Sequence, residues 1–176
     1  MLNKHPYVSN TKRKTVEEAI EHLQYARNMN AVHLIKGITQ TVAVILSHIN
    51  HPYFMRLMEG IASEALKHNY PLMLCQSQYN LDEEMKVLEM LKNKQIDGVI
   101  ITSRSASLDL IEPYSAYGPI LLCEDVKDRH LSSVYYDHYL CFQTAITFLW
   151  EKGHRKIGFA LNRLNNSSGR KRISAY

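Results

Sequence analysis

Glycine is scarce in this sequence of 176 residues, and its scarcity excludes several kinds of binding site. Seven glycines are present, and none belongs to a GxGxxG or a GxxxxGK[ST] pattern. Such loops let a backbone approach phosphates closely, so their absence argues against the nucleotide-dependent enzymes that use them. No GxSxG pattern occurs either, which argues against a hydrolase with a nucleophile elbow.

Cysteine pairs and long apolar runs are also missing. The three cysteines, Cys75, Cys123 and Cys141, form no CxxC motif, and we interpret them as reduced core thiols. No apolar run approaches the roughly 20 residues that a membrane span needs. The first residues contain no apolar stretch of the signal-peptide type. We therefore expect a cytoplasmic protein.

The titratable residues predict neither a metal site nor a catalytic site, and we expect no cofactor. His48 and His51 are three residues apart, but a zinc site needs three or four ligands, and no further ligand stands at suitable spacing. We interpret them as a polar pair at the mouth of a cleft. Glu124 and Asp125 are adjacent, whereas hydrolysis needs carboxylates facing each other across a cleft. Hydrogen bonding to ligand hydroxyls, or a helix cap, is the favoured interpretation.

From residue 41 onward, short apolar runs alternate with segments of helical period. The runs predict strands and the periodic segments predict helices. The predicted strands are 41–46, 72–75, 99–101, 120–122, 134–136 and 157–160, and the predicted helices are 54–66, 81–91, 108–114 and 141–149. Strands joined by helix-sized connections indicate an α/β fold, a doubly wound parallel sheet with helices on both faces. Residues 162–169 are predicted to be a loop.

Residues that follow the predicted strands predict a ligand-binding cleft, because ligands of such sheets bind at the carboxyl ends of the strands. Aromatic rings beside amides and carboxylates suit a sugar-like or other small polar ligand. Phe54 equally suits packing in the core. The predicted cleft residues are Asn50, Tyr53, Phe54, Ser77, Gln78, Ser103, Arg104, Glu124, Asp125 and Asp137.

The amino-terminal part of the sequence differs from the rest. Val16, Ala19, Ile20 and Leu23 form the stripe of an amphipathic helix, with Ser9 as its N-cap. Residues 27–40 are predicted to be a linker or a weak helix. Basic residues in this part are typical of a protein with a polyanionic partner, although a solvated helix face has the same composition. They are Lys4, Lys12, Arg13, Lys14, Arg27 and Lys36.

Taken in order, several motifs resemble the lactose-repressor/galactose-repressor (LacI/GalR) family of bacterial transcription regulators. The resemblance runs over nearly the whole chain. The matching segments are 2–9, 16–25, 30–41, Ile49-Asn50-His51-Pro52-Tyr53-Phe54, Val87-Leu88-Glu89-Met90-Leu91 with Ile96-Asp97-Gly98-Val99-Ile100, Gly153-His154-Arg155-Lys156-Ile157-Gly158-Phe159, and Arg172-Ile173-Ser174-Ala175-Tyr176.

The resemblance implies a homodimeric repressor with a two-lobed core like that of periplasmic binding proteins. Residues 1–25 would be a remnant of the helical DNA-binding head, 26–40 the hinge, 41–130 the first lobe, and 131–176 the start of the second lobe. Tyr53, Phe54, Asp137 and Arg172 match effector-cleft or motif positions of the family. DNA contacts are expected at Ser9, Asn10, Tyr25, Asn30, Ala31, His33 and Lys36.

Departures from the family pattern limit these expectations. The helix that reads the major groove is missing from the sequence, and 33–36 do not carry the usual apolar wedge of the hinge. We also expect the second lobe to be incomplete and part of the effector cleft to be missing. We predict little or no DNA binding by this chain. The alternatives are a solute-binding module without a DNA role and, less favoured, a small α/β enzyme that uses Glu124 or Asp125.

Overall fold

The computed structural model describes residue 7 and residues 9–26, 28–161, 163–164 and 166–176. Of helix residues Met29, Asn30 and Leu34 it describes the backbone alone. The chain divides into two compact units, Met1–Gly37 and Ile38–Tyr176. Most of the predicted segment 2–9 lies outside the described residues, as do Arg27 of the predicted linker and Asn162 and Asn165 of the predicted loop.

The described residues of the first unit form two helices. Helix α1 spans Asn10–His22, and the hydroxyl of its N-cap Ser9 accepts a hydrogen bond from the Lys12 amide, as predicted. Helix α2 spans Met29–Lys36 within the predicted linker, and Gly37 follows it with a φ of 70°. Glycine adopts this left-handed conformation at little cost, which suits the end of a helix.

The second unit is built on a five-stranded sheet, in which every neighbouring pair of strands is parallel. The strand order is β2-β1-β3-β4-β5. The strands are β1 (Val42–Leu46), β2 (Leu72–Gln76), β3 (Gly98–Ile101), β4 (Ile120–Leu122) and β5 (Ser132–Ser133). The connecting helices are α3 (Pro52–Lys67), α4 (Leu81–Lys92) and α5 (Leu108–Ile111), the last continued by a 3-10 helix over Glu112–Ala116. The predicted parallel α/β fold is confirmed.

One face of the sheet carries the main hydrophobic core. The strand register places Ala43 beside Val99, and Val99 beside Ile120, on this face. Helix α4 covers it with Val87, Leu88 and Leu91, which leave at most 5% of their surface exposed. This burial supplies most of the apolar stabilisation of the unit.

The opposite face of the sheet is covered by α3, because right-handed crossovers place α3 and α4 on different sides. On this face Val44 and Leu46 are buried, as is Phe54 from the first turn of α3. Phe54 therefore contributes to the core, which was one of its two predicted roles.

The last part of the chain differs from the prediction. The fifth strand covers Ser132–Ser133 rather than 134–136, and residues 157–160 do not form a strand. An apolar run becomes a strand only beside a hydrogen-bonding neighbour, and none of the described residues pairs with 157–160. Helix α6 spans His138–Glu151, and a further helix, α7, spans Ser167–Ala175, where a loop was predicted up to 169.

Among the described helices, none combines the length and the apolar character that a bilayer span requires.

Candidate functional site: a cleft at the carboxyl edge of the sheet

A cavity of about 550 Å³ lies at the carboxyl ends of the strands in the second unit. One wall is formed by residues that follow β1, β3 and β4, and the facing wall by the start of α7 and the loop before it. The volume falls within the range of about 300–1,000 Å³ that is usual for small-molecule sites. The strand ends thus create a site where the doubly wound topology predicts one.

Seven of the eleven predicted effector residues line this cavity, and four do not. The lining residues among them are Tyr53, Phe54, Ser103, Arg104, Glu124, Asp125 and Arg172. The other four predicted residues do not line the cavity. They are Asn50, Ser77, Gln78 and Asp137.

Ser77 is buried, and its hydroxyl donates to the Glu84 carboxylate at 3.3 Å. Asp137 is the N-cap of α6, and its carboxylate accepts from the amides of Tyr139 and Leu140. Asn50 and Gln78 are exposed. Effector contacts of these four residues remain predictions.

The loop after β3 is fixed by the buried carboxylate of Glu84. This carboxylate accepts hydrogen bonds from the amides of Ser105 and Ala106, at 2.7 and 2.8 Å. Ser103 accepts from the Ser47 amide at 3.1 Å, which ties the ends of β1 and β3 together. The polar edge of the cavity is therefore rigid before any ligand arrives, which lowers the entropic cost of binding.

The acidic pair after β4 is engaged in two ion pairs. Glu124 accepts a hydrogen bond from Nε of Arg104. Asp125 accepts from Nζ of Lys171 at 2.8 Å and from the Lys127 amide at 2.9 Å. Lys171 and then the Lys127 amide hold the pKa of the Asp125 carboxyl below its ordinary value. The described residues show no helix cap by this pair, and contact of either carboxylate with a ligand remains a prediction.

An aromatic cluster forms one side of the cavity. The rings of Tyr53 and Phe54 are 5.1 Å apart, and the rings of Tyr53 and Tyr136 are 6.5 Å apart. His51 caps α3 by accepting from the Tyr53 amide at 3.3 Å. Burial raises the pKa of the Tyr53 phenol, and Tyr136 and Cys123 add to the rise while Arg172 opposes it. The phenol stays neutral at physiological pH and offers a hydrogen bond beside an apolar ring.

His48 and His51 both line the cavity, in agreement with the interpretation of a polar pair at its mouth. The described residues contain no cluster of three or more His, Cys, Asp or Glu side chains that could hold a metal ion. The cysteines are free thiols, and Cys123 lines the cavity. Cys141 is exposed on α6, so the prediction of a core position was wrong for this residue, because α6 buries none of its side chains in the described structure.

Apart from Arg172, sequence reasoning missed the residues that line the cavity from α7 and from the loop before it. Asn166 caps this helix by accepting a hydrogen bond from the Gly169 amide at 2.8 Å. A Cβ on Gly169 would lie 2.6 Å from Oδ1 of Asn166 and would also collide with the Arg163 carbonyl. Only glycine permits this close return of the chain. The sequence sign of this helix start was an Asn three residues before a Gly, and the same pattern suits a loop equally well.

Arg172 and His138 meet at the same wall. Nη2 of Arg172 lies 3.2 Å from Nδ1 of His138. Burial first, and then the cations Arg172 and Lys171, lower the pKa of His138. A neutral imidazole accepts a hydrogen bond from the guanidinium, so this contact leaves the charge of Arg172 uncompensated.

The predicted DNA-contacting residues lie in the first unit. Ser9 and Asn10 stand at the start of α1, and Tyr25 follows that helix with 53% of its surface exposed. Ala31 and Lys36 lie exposed on α2, and His33 is half-buried there. The Asn30 side chain is outside the described structure. DNA contact by these seven residues remains a prediction.

Residues 39–175 match the protein family described as periplasmic binding proteins and the sugar-binding domain of the LacI family. The chain is 42% identical to catabolite control protein B of Bacillus subtilis over 159 residues, which are 90% of the chain and 51% of that protein. It is 37% identical to the NTD biosynthesis operon regulator NtdR of the same organism, over 92% of the chain and 50% of that protein. The chain thus spans about half the length of these curated relatives.

Solved structures show the same similarity. A LacI-family transcriptional regulator from Lactobacillus casei with bound glucose superposes with a TM-score of 0.65 at 26% identity, over 77% of this chain and 52% of that one. The transcription regulator CcpA of Lactococcus lactis gives a TM-score of 0.65 at 28% identity, over 77% of this chain and 51% of that one. Both regulators share the fold of the second unit.

Proposed function

The chain belongs to the LacI family, and we propose that it is the effector-sensing part of a transcriptional repressor that responds to a sugar or a related metabolite. The observation that carries this proposal is the cavity of about 550 Å³, which has aromatic rings on one side and fixed polar groups on the other. Apolar rings suit the faces of a sugar, and the polar groups suit its hydroxyls. The bound glucose of the Lactobacillus casei regulator supports the same ligand class.

The cavity walls come from separate segments, so a ligand that touches both walls favours one arrangement of them. Tyr53 and Arg104 belong to the sheet side, and Arg172 belongs to α7. A ligand shifts a conformational equilibrium by its difference in affinity for the two states. Effector binding would therefore draw α7 toward the sheet, and this movement would be transmitted to the DNA-contacting part.

Thermal-shift measurements on the 176-residue chain test the ligand proposal. The probes are glucose, sucrose, ribose and their common derivatives, each compared between wild type and Tyr53→Ala. Loss of the ring removes apolar contact worth about 1.5 kcal/mol, so affinity should fall by about tenfold. Tyr117→Ala is the matched control, because Tyr117 is 39% exposed against 40% for Tyr53 and does not line the cavity. The proposal fails if no compound raises the melting temperature of wild type.

We also propose that the regulator works in the cytoplasm, where its DNA is, and that it is not an enzyme. Both statements rest on the relatives, whose names describe regulators. For this chain we predict little or no specific DNA binding in an electrophoretic mobility shift assay. A tight, sequence-specific shift by the 176-residue polypeptide would contradict that prediction.

A homodimer is the assembly that we propose. Helix α3 turns Phe54, Leu57 and Ile61 toward the sheet, while Met55 and Leu66 are 58% and 78% exposed on another side of the helix. Met55 and Leu66 are eleven residues apart, which places them on one stripe of the helix. The exposed apolar side chains on this stripe support association with a second copy.

A further inference from the structure

We infer that the effector carries a negatively charged group, a phosphate or a carboxylate, which binds between Arg163, Arg172 and the first turn of α7. This inference rests on the proposed function, because it assigns a chemical class to the ligand of the same cleft. It goes beyond a neutral sugar, which the aromatic wall alone would suit. The inference is based on the excess of cations over carboxylates in the cavity walls and on the Arg163 guanidinium, one nitrogen of which has no hydrogen-bond acceptor among the described residues.

The described cavity walls contain more cations than carboxylates. Five basic side chains line them, against two acidic ones, which leaves a formal excess of three positive charges. Both carboxylates are already paired, Glu124 with Arg104 and Asp125 with Lys171. Neither Arg163 nor Arg172 forms an ion pair with any carboxylate in the described part of the chain. The basic lining residues are Arg104, Arg163, Arg170, Lys171 and Arg172.

Arg163 is the most informative of these residues. Its guanidinium lies over the Tyr79 ring, 3.6 Å from the ring centre. Its Nη1 is buried and has no hydrogen-bond acceptor among the described residues. A buried donor atom without an acceptor is unfavourable relative to one in water. A ligand that supplies an acceptor to Nη1 would satisfy this group.

Tyr79 is held beneath Arg163 by an unusual backbone. Gln78 and Tyr79 have φ values of 50° and 60°, and neither is glycine. The Tyr79 amide donates to the Ser77 hydroxyl at 3.2 Å, which helps to hold this turn. Left-handed conformations in consecutive non-glycine residues cost energy and are typical of binding sites. The strained turn places a flat ring against one face of the guanidinium, beside the cavity that Tyr79 and Arg163 both line.

The start of α7 adds donors to the same wall. Ser167, Ser168 and Gly169 all line the cavity. The Asn166 side chain accepts a hydrogen bond from the Gly169 amide. The first-turn amides of Ser167 and Ser168 have no carbonyl partner within the helix. A helix N-terminus carries partial positive charge. Together with the two guanidinium groups that line the same cavity, it supplies the hydrogen-bond donors and positive charge that a phosphate or carboxylate binds.

Titration calorimetry on the 176-residue chain tests this inference with three probes: glucose, glucose 6-phosphate and glucuronate. We expect at least one anionic sugar to bind about tenfold or more tightly than glucose, and more weakly as salt is raised. The phosphate and carboxylate probes show which anion is preferred. Arg163→Gln should abolish the advantage of the anionic sugar, and Arg163→Lys, which keeps the charge and loses the planar fork, should retain part of it.

Arg56→Gln is the control for charge, because Arg56 is exposed on α3 and does not line the cavity. Melting temperatures without ligand show that each variant is folded. Equal affinity for all three sugars, no binding of either anionic sugar, or an advantage that survives Arg163→Gln overturns the inference. If glucose binds while the anionic sugars do not, the proposed function stands and this inference alone fails.

Discussion

Lys171 on α7 donates a hydrogen bond of 2.8 Å to the carboxylate of Asp125, which follows β4 on the opposite wall of the cleft. The two side chains are 28% and 23% exposed, so water screens the pair only in part. This ion pair is a direct link between the sheet and α7. Its strength influences how readily the cleft opens.

Lys171→Met removes the link, and we expect the free energy of unfolding to fall by at most about 1 kcal/mol at neutral pH. The pair lowers the pKa of Asp125, so its contribution is present above the ordinary pKa of about 4 and is lost as the pH falls through the lowered pKa. The pair also raises the pKa of Lys171, so the contribution is lost again as the pH rises through that raised value.

Urea unfolding of wild type and Lys171→Met between pH 3 and pH 8 measures this difference. The two curves should converge at the acidic end. A difference that stays constant over the whole range would show that Lys171 acts through packing and not through its charge.

Glu84 should be far more important for stability than its neighbour Glu83. Glu84 is 2% exposed and is the acceptor for the Ser105 and Ala106 amides. Glu84→Gln replaces one acceptor oxygen by a donor and leaves a buried amide unsatisfied, at a cost of about 2–3 kcal/mol. Glu83→Gln removes an exposed ion pair with Lys86 and should change little. Equal melting temperatures for the two variants would refute this account of the loop.

Asp97 anchors the segment that leads into β1. Its carboxylate accepts hydrogen bonds from the Thr39 and Gln40 amides, each at 2.7 Å, and from the Thr39 hydroxyl at 3.0 Å. Asp97→Asn places an NH₂ group against one of these donors, and stability should fall by about 1–3 kcal/mol.

Hydrogen exchange of the Thr39 and Gln40 amides measures the local effect of Asp97→Asn. Both amides should exchange faster through local opening. The amides within β3 should change only as much as the free energy of global unfolding changes. Asp128→Asn is the control, since Asp128 is exposed. Unchanged protection at Thr39 and Gln40 would mean that other contacts hold this segment.

The proposed homodimer predicts a specific effect of charge on α3. Leu66→Lys places a cation in the exposed apolar stripe and should shift sedimentation toward the monomer. Leu110→Lys, at a residue that is 45% exposed on α5, should leave the association unchanged. A monomeric wild type, or a dimer that tolerates Leu66→Lys, would contradict the assignment of α3 to the interface.

The sheet could be predicted from the sequence because its signals are local. Runs such as Val42–Leu46 are apolar throughout, since these strands are buried on both faces. The same signal misled at 157–160, where the run is apolar but no described strand lies beside it. Pairing depends on distant residues, and a local pattern does not report it.

Apart from Arg172, which the family resemblance supplied, the far wall of the cleft could not be predicted, because α7 carries little apolar pattern. Its sequence begins Ser167-Ser168-Gly169-Arg170, which is typical of a loop, and its helical start depends on the Asn166 cap. Arg163 gave no signal at all, since its role arises from the turn that brings Tyr79 beneath it. Aromatic and acidic residues after the strands were found because topology alone places them at one edge.

The measurement that tests the central claim most directly is an NMR titration of the ¹⁵N-labelled chain with the most stabilising sugar of the thermal-shift panel. The account predicts that the perturbed amides cluster at 103–105, 124–125 and 167–172, on both walls of the cavity. Perturbations confined to other surfaces, or absent at saturating ligand, would contradict the claim that this cleft senses a small molecule.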